Sequence, residues 1–235
     1  MRSSNQKCKD EEELSPEKLS NINFRPWVGK RYFKGGYKGK KILVLGESHY
    51  CKEELSEQGR CCPSCIEEKM HSECFSQTED NIADYLEYYT GVGFQQTYLC
   101  FERAIEGKEL TIEEREEFWQ GVIFYNYIQY SLCSARQQLL LEDAQWKKCE
   151  VCFREILETY MPDYIIVWGD RLYESLPNWG GKGSEIKLDD NSSTSIWTYF
   201  IKGKHMPALR VLHPSIPKGK KWVYWHQFYK IFLCL

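Results

Sequence analysis

At 235 residues, 42% of them hydrophobic and 15% aromatic, the chain is long enough to bury one substantial core. Its formal net charge of −3 excludes a global basic field, though not a local basic stripe. No run of eighteen apolar residues occurs and residues 1–19 hold no apolar signal core, so neither a membrane partner nor export is expected. Eleven cysteines without a secretory signal point to reduced thiols, some of them metal-bound, in a cytoplasmic protein.

Residues 1–24 read as a flexible arm and 25–235 as a single folded domain with a cysteine-rich insertion at about 51–74. Between 25 and 41, Arg25, Lys30, Arg31, Lys34, Lys38, Lys40 and Lys41 alternate with Trp27, Tyr32, Phe33 and Tyr37, and the glycines there forbid a regular helix. The run Lys41-Ile42-Leu43-Val44-Leu45-Gly46 is the first buried strand. Directly after its glycine come Glu47, Ser48, His49 and Tyr50: a carboxylate, a hydroxyl, an imidazole and a phenol. Thr78 is placed to cap a helix with Ile82, Leu86 and Tyr89 on one face. A second helix is expected over about 96–106, and Thr111 with Glu114 forms a capping box for a third, through Trp119. Val122 to Gln129 is an apolar strand carrying an amide, Asn126, in its interior. Asp143 opens the clearest helix, with Trp146, Phe153, Ile156, Leu157 and Tyr160 as its apolar stripe and Met161-Pro162 as its stop. Asp163 to Gly169 reads as a third strand and Asp170 to Leu176 as a short helix. Gly180 to Ser193 reads as a turn-rich surface excursion, and Ser195 to Ile201 as an edge strand. Leu209 to Leu212 is the fourth core strand, ending on His213-Pro214-Ser215, and Trp222 to Leu235 is a closing amphipathic helix. The alternation predicts an α/β fold, a three-layer α/β/α sandwich around a central, mostly parallel four-stranded sheet.

Open α/β sheets bind ligands at the carboxyl ends of their strands. Two strands from opposite ends of the chain, one running into Gly46–Tyr50 and one into His213–Ser215, therefore predict one reaction centre. A second constellation lies in the insertion: Cys51, Cys61, Cys62, Cys65, His71 and Cys74, with Cys62 and Cys65 in a C-x2-C knuckle. Structural zinc takes four such ligands and would brace a segment with no core of its own. Six candidates for four places leave the ligand set open. Cys100, Cys133, Cys149 and Cys152 fall on helical or buried faces and read as small core residues. Asn126 alone fits either a satisfied core amide or a ligand-reading group, and the 25–41 stretch either a solvating or a phosphate-contacting role.

The order of these features resembles the uracil-DNA glycosylase superfamily. Gly46-Glu47-Ser48-His49-Tyr50 is similar to its first motif, and the Gly-Glu start to the branch whose glutamate handles the attacking water. Tyr50 falls where one branch has a tyrosine that crowds the pyrimidine 5-position. Phe124-Tyr125-Asn126-Tyr127 is similar to the strand whose asparagine reads the flipped base, and His213-Pro214-Ser215 to the last motif, whose histidine steadies the departing base. Cys149 through Met161-Pro162 and on to Trp168-Gly169 resembles the helix–Pro–strand–Gly unit of the iron–sulfur branch, with the cluster cysteine at Cys149. The N-terminal cysteine pair of that branch is missing, since Cys8 stands alone, so one structural zinc is expected before an iron–sulfur cluster. The first motif has Ser48-His49 where the superfamily usually has proline. The resemblance runs over roughly 40–235, with long unmatched stretches.

What the resemblance implies is a DNA glycosylase-like hydrolase, cleaving the N-glycosidic bond of uracil or another altered base in single- or double-stranded DNA. Glu47, His213 and His49 would be catalytic. A carboxylate beside the sugar favours its developing cation and orients water, and a donor at the base oxygen stabilises the departing anion. Asn126, Tyr50, Gly46 and Ser48 would form the base pocket, with Phe75 stacking on the ring. Ser215, Lys218, Lys220 and Lys221 would hold phosphates. A monomer, cytoplasmic or nucleoid-associated, is expected. Two alternatives stay open: a non-catalytic DNA-binding module of the same fold, and an α/β hydrolase acting on free nucleosides or nucleotides.

Overall fold

The computed structural model describes residues 19–50, 72–132 and 141–234. Uninterrupted apolar runs form the central strands, β2 (Ile42–Gly46), β4 (Val122–Asn126) and β6 (Tyr164–Trp168), in which all but Tyr164 are buried. The remaining strands are β1 (Trp27–Val28), β3 (His49–Tyr50), β5 (Ser131–Leu132), β7 (Gly181–Lys187), β8 (Ser193–Ile201) and β9 (Lys204–Val211). Seven α-helices fill the spaces between them among the described residues: α1 (Ser72–Phe75), α2 (Gln77–Glu87), α3 (Gln95–Glu106), α4 (Ile112–Trp119), α5 (Asp143–Tyr160), α6 (Asp170–Ser175) and α7 (Trp222–Leu233). None of the described helices is long and apolar enough to cross a membrane.

The main sheet has seven strands among the described residues, in the order β1-β4-β2-β6-β9-β8-β7. The four expected strands, β4, β2, β6 and β9, pair parallel at its centre. The expectation of a four-stranded sheet is corrected by antiparallel additions, β1 at one edge and β8 and β7 at the other. The segment read as a surface excursion forms β7, and β8 is an interior strand, not an edge. β7 hid because its sequence, Gly181 to Lys187, buries only Ile186. A two-stranded parallel ribbon, β3 with β5, stands apart from this sheet.

Strand alternation divides the core between two faces. Leu43, Leu45, Ile123, Tyr125, Ile165 and Val167 pack against the Cys149–Tyr160 stripe of α5. Ile42, Val44, Val122, Phe124, Ile166 and Trp168 pack against α2, α3, α4 and α7. The link from β2 to β4 therefore uses helices on one face, and the link from β4 to β6 uses α5 on the other. β2 is the switch point of the sheet, and crevices open at such points beyond the carboxyl ends of the strands.

Two capping expectations resolve differently. Thr111 and Glu114 form the expected reciprocal box: the Glu114 N–H donates to Thr111 Oγ1 at 3.2 Å and the Thr111 N–H to Glu114 Oε2 at 3.0 Å. Thr78 is not a cap, because α2 starts one residue earlier and the Thr78 hydroxyl turns inward to His49. The arm boundary also moves. Ile22 and Phe24 belong to the core, and the backbone N–H groups of Asn23 and Phe24 donate to Gln129 Oε1 at 2.9 and 3.0 Å.

One ion pair lies inside the helical layer. Arg115 Nε donates to Glu102 Oε1 at 2.9 Å, and Trp119 Nε1 to Glu102 Oε2 at 3.1 Å. The guanidinium lies 4.2 Å over the Tyr89 ring and 5.1 Å from that of Tyr85, which closes it off from solvent.

Candidate active site at the carboxyl ends of the strands

Gly46 and Asn126 end adjacent strands and are register partners. Two further hydrogen bonds tie the exits together, Tyr127 N–H to Gly46 O at 2.9 Å and Ile128 N–H to Glu47 O at 2.8 Å. Only glycine fits at 46: a Cβ there would stand 2.3 Å from Asn126 Oδ1 and 2.9 Å from Phe124 Cζ. Beyond these ends lies a cleft of about 520 Å³. Gly46, Glu47, Ser48, His49, Tyr50, Asn126, His213 and Ser215, all named from the sequence, line it.

His49 is placed by β3 and is almost wholly buried. Its Nε2 lies 3.0 Å from Thr78 Oγ1, and its ring is 4.3 Å from that of Phe24, centre to centre. Burial drives the ring's pKa from 6.5 down to about 3. At pH 7 the His49 ring is therefore neutral, in the wall of the cleft. Between the two values the unfolded chain binds a proton that the folded protein does not. The neutral ring's contribution is complete above about pH 6.5 and is lost as the pH falls toward 3. We expect about 3 kcal/mol of destabilisation from this residue between pH 7 and pH 4. Urea unfolding of His49→Phe beside the parent checks this, and an equal acid loss in both would refute it.

Glu47, which follows the strand-ending glycine, has a mostly buried carboxylate. It is gripped by Arg171 of α6: Nε donates to Oε1 at 2.7 Å and Nη2 to Oε2, a bidentate pair. His213 follows β9. Its Nδ1 accepts the Ser215 backbone N–H at 3.2 Å and lies 2.7 Å from Ser215 Oγ. A backbone N–H can only donate, so the ring's proton sits on Nε2. Burial holds His213 below the ordinary imidazole value, with Glu47 opposing and Arg171 adding to the shift. At pH 7 the ring is a neutral donor.

The walls are aromatic. Tyr98, Phe124 and Trp168 interlock with ring centres 5.1 to 6.1 Å apart, and Trp168 meets His213 edge-on at 5.8 Å. Phe94, about half exposed, lines the cleft, together with Gln77, Asn81 and Thr97. Phe75, chosen from the sequence for stacking, is not among the lining residues. Lys218 and Lys221 are not in this cleft either. They line a second, polar one of about 490 Å³ with Asp170, Arg210 and Thr194. Lys220 is exposed on the same loop. That loop is folded tightly onto the His-Pro-Ser segment, since a Cβ at Gly219 would stand 2.0 Å from His213 O.

Arg171, Phe94 and the pair Gln77 and Asn81 were missed in the sequence. A cation two residues beyond the strand-ending Gly169 was the available sign for the first. Amides four residues apart, opposite the Ile82 face of a helix, were the sign for the pair. The proposed zinc ligands Cys51, Cys61, Cys62, Cys65 and His71 lie outside the described residues, as does Cys133. Cys74 is partly buried, and the described residues contain no group of three or more potential metal ligands. Cys100, Cys149 and Cys152 are buried in the core. Comparison of the chain with protein-family models and with curated proteins finds no match to either.

Proposed function

We propose that the cleft receives a nucleobase swung out of a DNA strand, uracil or another altered base, and that the protein hydrolyses its bond to deoxyribose. The observation that carries this reading is the convergence of a carboxylate, an amide and a neutral imidazole donor, from three strand ends, on one aromatic-walled cleft. Phe94 and Phe124 supply the stacking surface first sought in Phe75. Asn126 reads the polar edge of the ring. As the bond from C1′ to the base nitrogen breaks, its electron pair leaves with the base, and the His213 Nε2–H stabilises the charge on the base oxygen. Glu47 faces the cationic sugar, orients the water whose oxygen bonds to C1′ and accepts the proton that this water gives up. Arg171 fixes the plane of that carboxylate and still leaves each oxygen a lone pair for water.

A second reading, a non-catalytic reader of altered DNA, is favoured by that same clamp, because both Glu47 oxygens are already engaged. One experiment separates the two. Single- and double-stranded oligonucleotides carrying uracil and other altered bases are incubated with the protein and assayed for alkali-labile sites and for binding. Excision is expected, with Glu47→Gln slower by roughly a hundredfold or more at retained affinity. Binding without any excision makes the protein a reader. Near-normal turnover of Glu47→Gln removes that carboxylate from the mechanism, and neither binding nor excision refutes both readings.

A further inference from the structure

A primary amide carries an acceptor and a donor on one carbon, so the edge that Asn126 presents depends on which way it is turned. Both of its ends are constrained by the protein. The oxygen sits over Gly46, in the space that a side chain there would take. The nitrogen lies 3.4 Å from His49 Nδ1 and 3.3 Å from Nε2, so the amide meets the ring between its two nitrogens. A neutral imidazole face accepts an N–H and repels a carbonyl oxygen, which opposes the reversed amide. His49 cannot turn away. Thr78 Oγ1 holds its Nε2 at 3.0 Å from α2, and the Phe24 ring backs it at 4.3 Å. Phe24, Thr78 and Asn126, which meet the His49 ring, come from separate segments, and none carries a charge.

We propose that His49 and Thr78 are positioning residues that fix Asn126 with its oxygen toward the ligand, and so select a ring edge that donates an N–H. A pyrimidine with a protonated ring nitrogen between two carbonyls fits that edge. One with a bare ring nitrogen beside an amino group, as in cytosine, faces the acceptor with a lone pair. The selectivity rests on the reading of the cleft as a base site; the fixed amide does not.

Two measurements test the halves separately. The first needs no ligand. The Asn126 side-chain amide signals, identified by their loss in Asn126→Asp, are expected at upfield, ring-shifted positions in the free protein, returning to ordinary positions in His49→Leu. Ordinary positions in the parent protein, or no change in His49→Leu, would overturn the positioning. The second compares oligonucleotides with uracil or cytosine at one site. Thr78→Val is expected to lower the uracil-to-cytosine preference about tenfold, the scale of one hydrogen bond. Thr78→Ser, which keeps the hydroxyl, is expected to restore it. An unchanged ratio in a folded Thr78→Val protein would overturn the selectivity. If the parent protein engages neither oligonucleotide, the base-site reading and the selectivity fall together, and the amide signals alone decide the positioning.

Discussion

His213→Ala is expected to slow the excision step by roughly a hundredfold to a thousandfold, the effect of losing one oxyanion donor, while DNA affinity stays near its original value. The ring's Nδ1 is occupied by the Ser215 N–H, so its Nε2 proton is the one available for a base oxygen. That contact strengthens as the base takes up charge, so its loss appears mainly in the transition state. Replacing Lys218, Lys220 and Lys221 with glutamine should do the reverse. They stand on the far side of the same loop, two of them in the neighbouring polar cleft. Their loss should weaken binding to all sequences alike and flatten its salt dependence, because phosphate contacts act through counterion release. Single-turnover excision, with binding titrations at two salt concentrations, separates the two effects. If His213→Ala loses affinity but keeps the chemical step, His213 is not the donor.

The largest stability effect should come from inside the helical layer. Arg115→Ala would leave the Glu102 carboxylate, fully buried, with neutral donors such as Trp119 Nε1 and no counterion, and would empty the space beneath Tyr89. Removing one member of a buried pair costs about 3–5 kcal/mol, because the other charge stays behind without its counterion. For a chain of this size that corresponds to a fall in melting temperature of about 10 °C. Replacing both partners, Glu102→Leu with Arg115→Met, should recover most of the loss, since apolar packing of similar volume removes the desolvation cost. Urea unfolding of the single and double variants checks this. A double variant no more stable than Arg115→Ala would mean that the ring stacking, and not the charge, carries the effect.

The central strands were legible because buried parallel strands must be apolar on both faces, as Ile42–Leu45 and Ile165–Val167 are. Strand ends then placed Glu47, Asn126 and His213 in one crevice with no knowledge of the packing. β7 was not legible: an outermost strand with Gly181, Lys182, Gly183 and Lys187 is held by its backbone ladder to β8 and carries almost no apolar signal. The Arg171–Glu47 clamp joins residues 124 positions apart and exists only because β2 and β6 lie side by side. The burial of His49 was not legible for a related reason. A histidine two residues after a glutamate at a strand end reads as an acid–base group, and only the arrival of Phe24 and Thr78 from elsewhere in the chain buries its ring and keeps it neutral.

The fastening of Asn23 and Phe24 to Gln129 bears on where this protein can be shortened. Phe24 is the last residue before the basic stretch, and its ring is one wall of the compartment that holds His49. A protease, or an experimenter, removing everything up to that point would take away no mere appendage. Gln129 would lose the two N–H groups its side-chain oxygen accepts, and the histidine would gain a water-filled gap in place of a ring. A ladder of N-terminal deletions should therefore show a sharp loss within residues 19–24, where Leu19 packs on the core, the N–H groups of Ser20 and Asn21 donate to Glu155 and Ile22 enters the core, and not a gradual decline. The part of the fold that shapes the cleft begins, in practice, some twenty residues ahead of Gly46.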